Sequence, residues 1–309
     1  MTKIDIISGF LGAGKTTFLK KYADFAMYQV KKSTKGNLAE FDKALYEDEK
    51  HDRQMHLEFY QLIEKEQLTY HFQPILSAKN GEIIAYEALM RSQLATLKNP
   101  EMILRIAREE NKLEDVERIC IFKSTETFDQ LRKNKLVKED ALLFINSIAS
   151  VSLNDEDRER FHRYFSHIQS QIVVEVTEEE NMSEEALIRK RETKGFSGMF
   201  ALDDYGSGYN TEINLLNLSP KYIKIDLTIV RNIDKDFDKQ QLVSNIVEYA
   251  HQREGYIIAE GIETKEELLK VLELGVDYLQ GYYLSYPQLN PQEVSNESIK
   301  TIENYWKKR

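Results

Sequence analysis

Cysteine is nearly absent from this chain, since Cys120 is the only one in 309 residues. A single cysteine excludes an internal disulfide and is typical of proteins from a reducing compartment. Cys120 lies in the apolar-patterned stretch VERICIF, where a plain core role is the simplest interpretation. The sequence therefore predicts a core without disulfide bonds.

Long apolar runs are also missing. No stretch approaches the roughly 20 apolar residues that a membrane-spanning helix needs. Near the N-terminus, Gly12, Gly14 and Lys15 interrupt the apolar stretch in which a signal peptide would lie. We therefore expect no membrane segment in this chain and a cytoplasmic protein.

An excess of basic residues is missing as well. The chain has 52 acidic and 42 basic residues, which gives a formal net charge of −10. Proteins that bind nucleic-acid polymers carry a basic face, so we expect no such polymer as a partner. A small anionic ligand stays open, because bound divalent cations would reverse the local potential.

What the chain does have is a series of eight short, apolar, β-rich segments that each carry a residue able to bind a metal or a phosphate. They are HFQPIL, AYEALMR, LLFINS, IVVEVTE, FALDDYGSG, YIKID, IIAEGIE and YLQGYYL. Helical patterns lie between most of them, and such alternation predicts a largely parallel sheet that closes into a β/α barrel. The strand ends at one rim of a barrel converge on a single site. We therefore expect these polar residues to meet as one acidic cluster with a lysine beside it.

The first two segments are separated only by SAKNGE. An Asn-Gly turn of this length makes a hairpin, so one strand of the barrel should run antiparallel to its neighbours. The predicted fold is α/β: a modified TIM (β/α)₈ barrel with one antiparallel strand, plus a short N-terminal helical appendage.

Several of the helical stretches carry start and stop signals. Asp155 and Ser183 are expected as N-caps, and Thr264 with Glu267 three residues later has the pattern of a capping box. Gly275 follows the last of these stretches, where a residue in the left-handed conformation is expected.

With the eight segments in place, the chain resembles the EAL domain family, bacterial phosphodiesterases that open cyclic di-GMP to linear pGpG. The family name is spelled by Glu87, Ala88 and Leu89, and the asparagine of LLFIN and the motifs EVTE, DDYGSG, YIKID, AEGIE and LQGYYL follow in the family's order. The resemblance covers residues 57–290. It implies a modified TIM barrel with one reversed strand, in agreement with the hairpin.

The resemblance also implies a set of site residues. Metal ligands are expected at Glu87, Asn146, Glu175, Asp203, Asp204 and Glu260. Catalytic roles are expected for Lys224, Glu260, Glu178 and Glu263. Substrate contacts are expected from Gln73, Leu89, Arg91 and Gln280.

Hard oxygen ligands of this kind suit Mg²⁺ or Mn²⁺. Two divalent cations about 3.5–4 Å apart can lower the pKa of a bound water and neutralise phosphoryl oxygens, which a kinetically inert phosphodiester requires. The resemblance implies that Asp203 bridges the two ions. It also implies that Ca²⁺ supports binding of the dinucleotide but inhibits its turnover.

Local alternatives remain at the tandem aspartates and at the lysine. Adjacent residues of a regular strand point to opposite faces. For both aspartates of DDYGSG to reach the site, the chain must leave the strand there, and Gly206 and Gly208 supply the freedom. An ordinary strand-to-loop turn is the alternative. Lys224 is expected as a proton partner or an electrostatic aid, as an ion pair with a core carboxylate such as Glu263, or as both.

Two further residues have a functional and a plain interpretation. Glu178 resembles the glutamate that braces the loop after Asp204, and a solvated residue at a helix start is the alternative. Arg91 resembles a phosphate contact, for which an arginine fork is suited, and a surface salt bridge is the alternative.

The N-terminal residues differ from the rest. Gly9, Gly14, Lys15 and Thr16 have the spacing of a P-loop, and ISGFLGAGKTT resembles the opening of CobW-type GTPases. This resemblance ends within residues 1–21, and a P-loop needs a supporting sheet and an acidic residue to hold a nucleotide. The following stretch resembles the C-terminal end of a GGDEF domain and a linker.

The predicted organisation is a P-loop-like fragment at 1–21, a GGDEF remnant and linker at 22–56, and a phosphodiesterase domain at 57–309. The predicted function is metal-dependent hydrolysis of cyclic di-GMP. A catalytically weak EAL domain that acts as a cyclic di-GMP receptor is the alternative, and a P-loop NTPase is a remote one. A homodimer through the EAL domain is also expected from the resemblance.

Overall fold

The computed structural model describes residues 43–177, 199–207, 215–216, 218–291 and 294–309. The chain divides into two compact units, Met1–Glu58 and Phe59–Arg309. The P-loop-like fragment, most of the GGDEF-like stretch, the proposed N-cap Ser183, Glu178 and Gly208 lie outside the described residues. Helix α1, Lys43–Lys65, contains the boundary between the two units.

Eight strands close into a barrel in the order in which they occur along the chain. They are β1 Leu68–Ser77, β2 Ile83–Ser92, β3 Leu142–Asn146, β4 Ile172–Thr177, β5 Met199–Tyr205, β6 Tyr222–Ile225, β7 Tyr256–Ala259 and β8 Tyr278–Leu279. Continuous Val/Ile/Leu-rich runs are typical of strands that are buried on both faces. The predicted barrel is confirmed.

Strand β1 is the reversed one, since it pairs antiparallel with both β2 and β8, while the other neighbouring strands pair in parallel. The turn between β1 and β2 is closed by Ser77 N donating to Glu82 O (2.8 Å) and Gly81 N donating to Ser77 O (2.8 Å). Gly81 has a φ of 72°, in the left-handed region. The segment SAKNGE is too short for a parallel crossover, and the predicted hairpin is confirmed.

The remaining described helices follow α1 in the chain. They are α2 Pro100–Glu109, α3 Leu113–Lys133, α4 Asp155–Phe165, α5 Leu227–Val230, α6 Phe237–His251, α7 Lys265–Glu273 and α8 Asn296–Lys307. Among the described helices, none combines the length and the apolar character that crossing a bilayer requires.

The helix signals were confirmed at α7 and wrong at α4. Thr264 and Glu267 form a capping box, and Gly275 has a φ of 84°. Asp155 was expected as an N-cap, but the cap of α4 is Asn154, whose side chain accepts from Asp157 N at 2.8 Å. Both residues are good caps, and Asp155 in the first turn is instead stabilised by the helix dipole.

An apolar layer fills the barrel interior on one side of the polar residues. It consists of Ile75, Ala85, Phe144, Val173, Ala201, Tyr222 and Ile258, each at most 5% exposed. Each lies two positions along the chain from one of the predicted site residues, so the two layers share the inward face of the barrel. The predicted site therefore has a closed apolar floor.

Glu267 ties two loops to the start of α7. Its side chain is almost fully buried, and it accepts backbone hydrogen bonds from Asn232 N (2.9 Å), Glu263 N (2.9 Å) and Thr264 N (3.0 Å). Burial acts to raise the pKa of Glu267, but these N–H donors outweigh it and hold the pKa below its usual range. The carboxylate thus fixes the loop that follows β7.

We predict that Glu267→Ala lowers the free energy of unfolding by about 2–3 kcal/mol, because three backbone N–H donors lose their acceptor. Urea denaturation followed by circular dichroism measures this. Glu266→Ala is the matched control, since Glu266 is exposed in the same helical turn and should change stability by less than about 0.5 kcal/mol. Equal effects of the two substitutions would contradict the role of Glu267.

Candidate active site

A buried lysine lies at the centre of the predicted site. Lys224 on β6 is 1% exposed. Its Nζ lies 2.6 Å from Glu175 Oε1, 2.7 Å from Glu260 Oε1, 3.0 Å from Asp203 Oδ1 and 3.3 Å from Glu87 Oε2. The five residues come from five strands or strand ends, and the barrel brings them into one cluster. We call Lys224 and these four carboxylates the acidic cluster.

A bulge in β5 brings the two adjacent aspartates to the same site. Asp203 and Asp204 together lie opposite the single residue Lys224 of β6. Asp204 has a φ of 56°, in the left-handed region. Such a bulge re-aims a side chain that would otherwise point to the opposite face.

The expectation that the chain leaves the strand at the two aspartates was therefore wrong. Strand β5 continues through Tyr205, and the bulge supplies the irregularity. Gly206 follows with a φ of 97°, and a Cβ there would lie 2.0 Å from Ile229 Cδ1. A glycine is needed after the bulge, one residue beyond the strand.

Two overlapping sets of carboxylates could each hold a cation. Glu87, Glu175 and Asp203 form one set, and Asp203, Asp204 and Glu260 form the other, with ligand atoms within 4.8 Å of one another in each. Asp203 belongs to both sets. Glu175 Oε2 is buried and has no hydrogen-bond donor among the described residues. A buried carboxylate oxygen without a donor fits a cation ligand, and these oxygen-only sets suit hard divalent ions.

Asn146 lies beside the first set, at the exposed end of β3. Its Nδ2 donates to Glu87 Oε1 at 3.2 Å. The amide nitrogen is thus engaged with a carboxylate, and the amide oxygen is the atom that can serve a cation.

Burial raises the pKa of several of these acids, because charged carboxylates lose solvation inside the barrel. The pKa values of Glu175 and Glu260 lie well above the usual range, and the pKa of Asp203 is also raised, with the nearby charge of Glu87 adding to each. Burial and the neighbouring Asp203 raise the pKa of Asp204 to about 7. One ammonium does not neutralise so many carboxylates, so additional positive charge would stabilise the cluster.

Lys224 and Glu87 are the two members of the cluster whose pKa shifts favour the charged form. Burial acts to lower the pKa of Lys224, but the four surrounding carboxylates raise it well above its usual value. Burial likewise acts to raise the pKa of Glu87, yet Lys224 and the hydrogen bonds from Gln280 and Asn146 hold it below the usual range. Both pKa shifts favour the charged form of the side chain.

Two glutamines support Glu87 from the β1 and β8 side. Gln280 Nε2 donates to Glu87 Oε2 (2.5 Å) and to Gln73 Oε1 (3.1 Å). Gln73 Nε2 donates to Ser285 O (3.1 Å). Both side chains are buried. The structure places them at the site, where they hold a predicted ligand, and their expected contact with substrate stays a prediction.

The other two expected substrate contacts lie further along β2. Leu89 and Arg91 follow Glu87 at two and four positions, so all three share a face of the strand. Both are partly buried, and Arg91 Nη1 donates to Met90 O at 2.8 Å. Their contact with substrate also stays a prediction.

The suggested ion pair between Lys224 and Glu263 was wrong. Glu263 is exposed and pairs with Arg231, whose Nη2 lies 2.5 Å from Glu263 Oε1 and whose Nη1 contacts Oε2. Glu263 lies four residues beyond Ala259, the end of β7, on a loop outside the barrel, whereas Lys224 points inward. Glu260, directly after the strand, has the position that was expected of Glu263.

A cavity of about 260 Å³ opens above the acidic cluster. Besides four members of the acidic cluster, with Glu175 buried behind them, its walls include Glu263, Leu227, Tyr282, Gly261 and Gly281. The last four were missed from the sequence. Tyr282 is half-exposed and follows the motif glutamine by two positions, so its place in LQGYYL was the available signal.

Comparison with known proteins identifies relatives that match most of the chain. The family model of the EAL domain matches residues 56–287. The bifunctional diguanylate cyclase/cyclic di-GMP phosphodiesterase MucR of Pseudomonas aeruginosa is 28% identical over 295 residues, covering 91% of this chain and 42% of MucR. The cyclic di-GMP phosphodiesterase NbdA of the same species is 26% identical over 280 residues, covering 87% of this chain and 35% of NbdA. The chain thus spans less than half the length of these curated relatives.

Solved structures show the same barrel. The PaMucR phosphodiesterase in complex with c-di-GMP has a TM-score of 0.64 and 26% identity, over 76% of this chain and 97% of that chain. BlrP1 of Klebsiella pneumoniae, in a manganese/cy-diGMP complex, has a TM-score of 0.61 and 23% identity, over 72% of this chain and 56% of that chain. At this identity the second likeness shows the fold alone.

We predict that Lys224→Met lowers the metal-free free energy of unfolding by about 3–5 kcal/mol, because it leaves buried carboxylates without their counter-charge. Mn²⁺ should raise the thermal midpoint of this variant more than that of the wild type, since a cation replaces the lost charge. Thermal denaturation in EDTA and in Mn²⁺ measures both effects.

Lys235→Met is the control, since Lys235 is 75% exposed in a 3.8 Å pair with Asp234 and exposed pairs contribute little. A Lys224→Met variant that melts within about 2 °C of the wild type in EDTA would show that the ammonium does not stabilise the cluster.

Proposed function

This chain belongs to the EAL domain family, and we propose that it is a phosphodiesterase that hydrolyses cyclic di-GMP to linear pGpG with two divalent cations, Mg²⁺ or Mn²⁺. The observation that carries the proposal is the pair of carboxylate sets that share Asp203 beneath an open cavity. Sequence similarity to proteins named as cyclic di-GMP phosphodiesterases supports the choice of substrate.

We assign the ligand atoms from the geometry. Glu87, Asn146, Glu175 and Asp203 would hold one cation, and Asp203, Asp204 and Glu260 the other. When bound, such a pair of cations supplies charge for the phosphate and acidity for a nucleophilic water. The protein fixes the carboxylate oxygens beforehand, because the apolar floor and the ion pairs with Lys224 leave them little freedom.

Lys224 is proposed as the electrostatic aid to the attacking water. In the metal-free protein burial acts to lower the pKa of Lys224, but the four surrounding carboxylates raise it well above its usual value. Lys224 is only 1% exposed, and a fixed ammonium that is shielded from solvent stabilises developing negative charge more strongly than it would in water. Its short contacts to Glu175 and Glu260 also hold one member of each ligand set.

The remaining expected roles are proposals on the substrate side. The Arg91 guanidinium is suited to a phosphate, and Leu89, on the same face of β2, to the face of a base. Gln73 and Gln280, whose side-chain amides are hydrogen-bonded to each other beside Glu87, are proposed to contact the substrate. Glu263 is proposed to act through the loop that it shares with Glu260, fixed by Arg231.

Two roles rest on the resemblance alone. Glu178 lies outside the described residues, and its bracing of the loop after Asp204 stays a prediction that the turnover of Glu178→Ala would test. A homodimer through this domain also stays a prediction, for light scattering to decide.

We predict that the purified chain converts cyclic di-GMP to pGpG in Mg²⁺ or Mn²⁺, and that in Ca²⁺ it binds the dinucleotide without turnover. Product chromatography and calorimetry measure the two steps. Glu87→Ala should abolish turnover and weaken Mn²⁺ binding, because Glu87 is central to the first ligand set.

Lys15→Ala is the matched control and should change neither turnover nor nucleotide affinity. Wild-type protein that binds cyclic di-GMP but does not cleave it in Mn²⁺ would establish the receptor function instead. Micromolar GTP binding that is lost in Lys15→Ala would establish a nucleotide site in the N-terminal residues.

A further inference from the structure

A buried glutamate outside the barrel contacts the loop that follows a predicted ligand. Glu117 on α3 is 2% exposed. Its Oε2 accepts from Ile148 N at 2.9 Å, and its Oε1 accepts from Ser147 Oγ. These two residues come directly after Asn146, the last residue of β3.

The same loop is also held from the barrel side. Ser147 N donates to the backbone carbonyl of Glu175 on β4 at 3.0 Å. Asn146 and Glu175 are paired in the β3–β4 register. The backbone that leaves β3 is therefore fixed between a strand on one side and the Glu117 carboxylate on the other.

This anchoring bears on the side chain of Asn146, which projects from the last residue of β3. Asn146 is exposed at the strand end, and its side chain donates to Glu87 at 3.2 Å. Its direction follows from the backbone at the point where the strand stops. A change of about 1 Å there would move the amide oxygen out of reach of a cation that Glu87 and Glu175 also bind.

We infer that Glu117 is a positioning residue for the cation site: it fixes the loop after β3 so that the Asn146 amide joins Glu87 and Glu175 as a ligand. The inference rests on the proposed function, since it takes Asn146 as a ligand. Groups that orient metal ligands typically change metal affinity about tenfold to a hundredfold when removed.

The rival explanation is that Glu117 only holds α3 against the barrel. The same helix offers a matched control for this explanation. Asp129 on α3 is also buried (5% exposed) and is also paired, with Lys133 Nζ at 2.6 Å and His167 Nε2 at 3.0 Å. It contacts the connection between α4 and β4, away from the ligand loop. Loss of either carboxylate should lower stability, but only Glu117 should affect the cation.

The chemistry of Ser147 provides a rescue variant. In Glu117→Gln, the amide oxygen can still accept from Ile148 N, and the amide nitrogen can donate to the Ser147 hydroxyl, which is able to accept. The loop then keeps both anchors without a charge. In Glu117→Ala both anchors are lost.

The test is Mn²⁺ binding to the full-length chain, measured by calorimetry, with thermal midpoints recorded for the same samples. We expect Glu117→Ala to raise the Mn²⁺ Kd about tenfold or more, Glu117→Gln to stay within about threefold, and Asp129→Ala to keep the wild-type Kd while its thermal midpoint falls. Ser147→Ala, which removes one anchor, should raise the Mn²⁺ Kd by a smaller factor. This variant replaces Glu117→Ala in the test if Glu117→Ala does not fold.

The positioning role would be overturned if both Glu117→Ala and Ser147→Ala bound Mn²⁺ with wild-type affinity. If Glu117→Ala does not fold, wild-type affinity in Ser147→Ala is sufficient to overturn it. Either result would leave the proposed function intact. An equal loss of affinity in Asp129→Ala would also overturn it, in favour of general loosening of α3. Absence of Mn²⁺ binding in the wild type would overturn the proposed function, and the positioning role with it.

Discussion

The site depends on one buried ammonium surrounded by four carboxylates. A lysine inside a barrel is costly unless its charge is compensated, and here Glu87, Glu175, Asp203 and Glu260 all lie within 3.3 Å of Lys224 Nζ. The compensation exceeds what is needed, so burial and mutual repulsion raise the pKa of three of the four acids. Additional positive charge relieves that repulsion, which is the physical reason to expect divalent cations at this place.

The rest of the barrel serves to keep these charges in place. Side chains two positions away on the same strands form the apolar floor beneath them. Loops above them are held by buried glutamates on outer helices: Glu267 of α7 accepts N–H donors from the loop after β7, and Glu117 of α3 does the same after β3. Backbone N–H groups that a loop would otherwise leave unpaired are thereby satisfied. Both loops adjoin residues that we assign as ligands.

Much of the fold was predictable because its signals are local. Continuous apolar runs, strand–helix alternation and the short SAKNGE turn were sufficient for a closed barrel with one reversed strand. The convergence of Glu87, Glu175, Asp203, Lys224 and Glu260 followed from the rule that barrel strand ends meet at one rim.

Other features depend on register and packing, which the order of residues does not show. The sequence of two adjacent aspartates is compatible with a strand that ends there and with a strand that has a β-bulge there. Only the pairing of β5 with β6 distinguishes these two conformations. Glu263 lies four residues beyond the end of β7, and only the path of that loop shows that its side chain pairs with Arg231 and not with Lys224. The contact of Glu117 with the loop after β3 depends on where α3 packs against the barrel.

The central claim is that Asp203 belongs to two cation sites at once. Electron paramagnetic resonance of the Mn²⁺-loaded protein tests it directly, because two ions that share a carboxylate oxygen lie close enough for their spins to couple. The account predicts two bound Mn²⁺ ions per chain with a coupled spectrum, and loss of the coupling in Asp203→Asn. A single uncoupled Mn²⁺ ion per wild-type chain at saturation would contradict it.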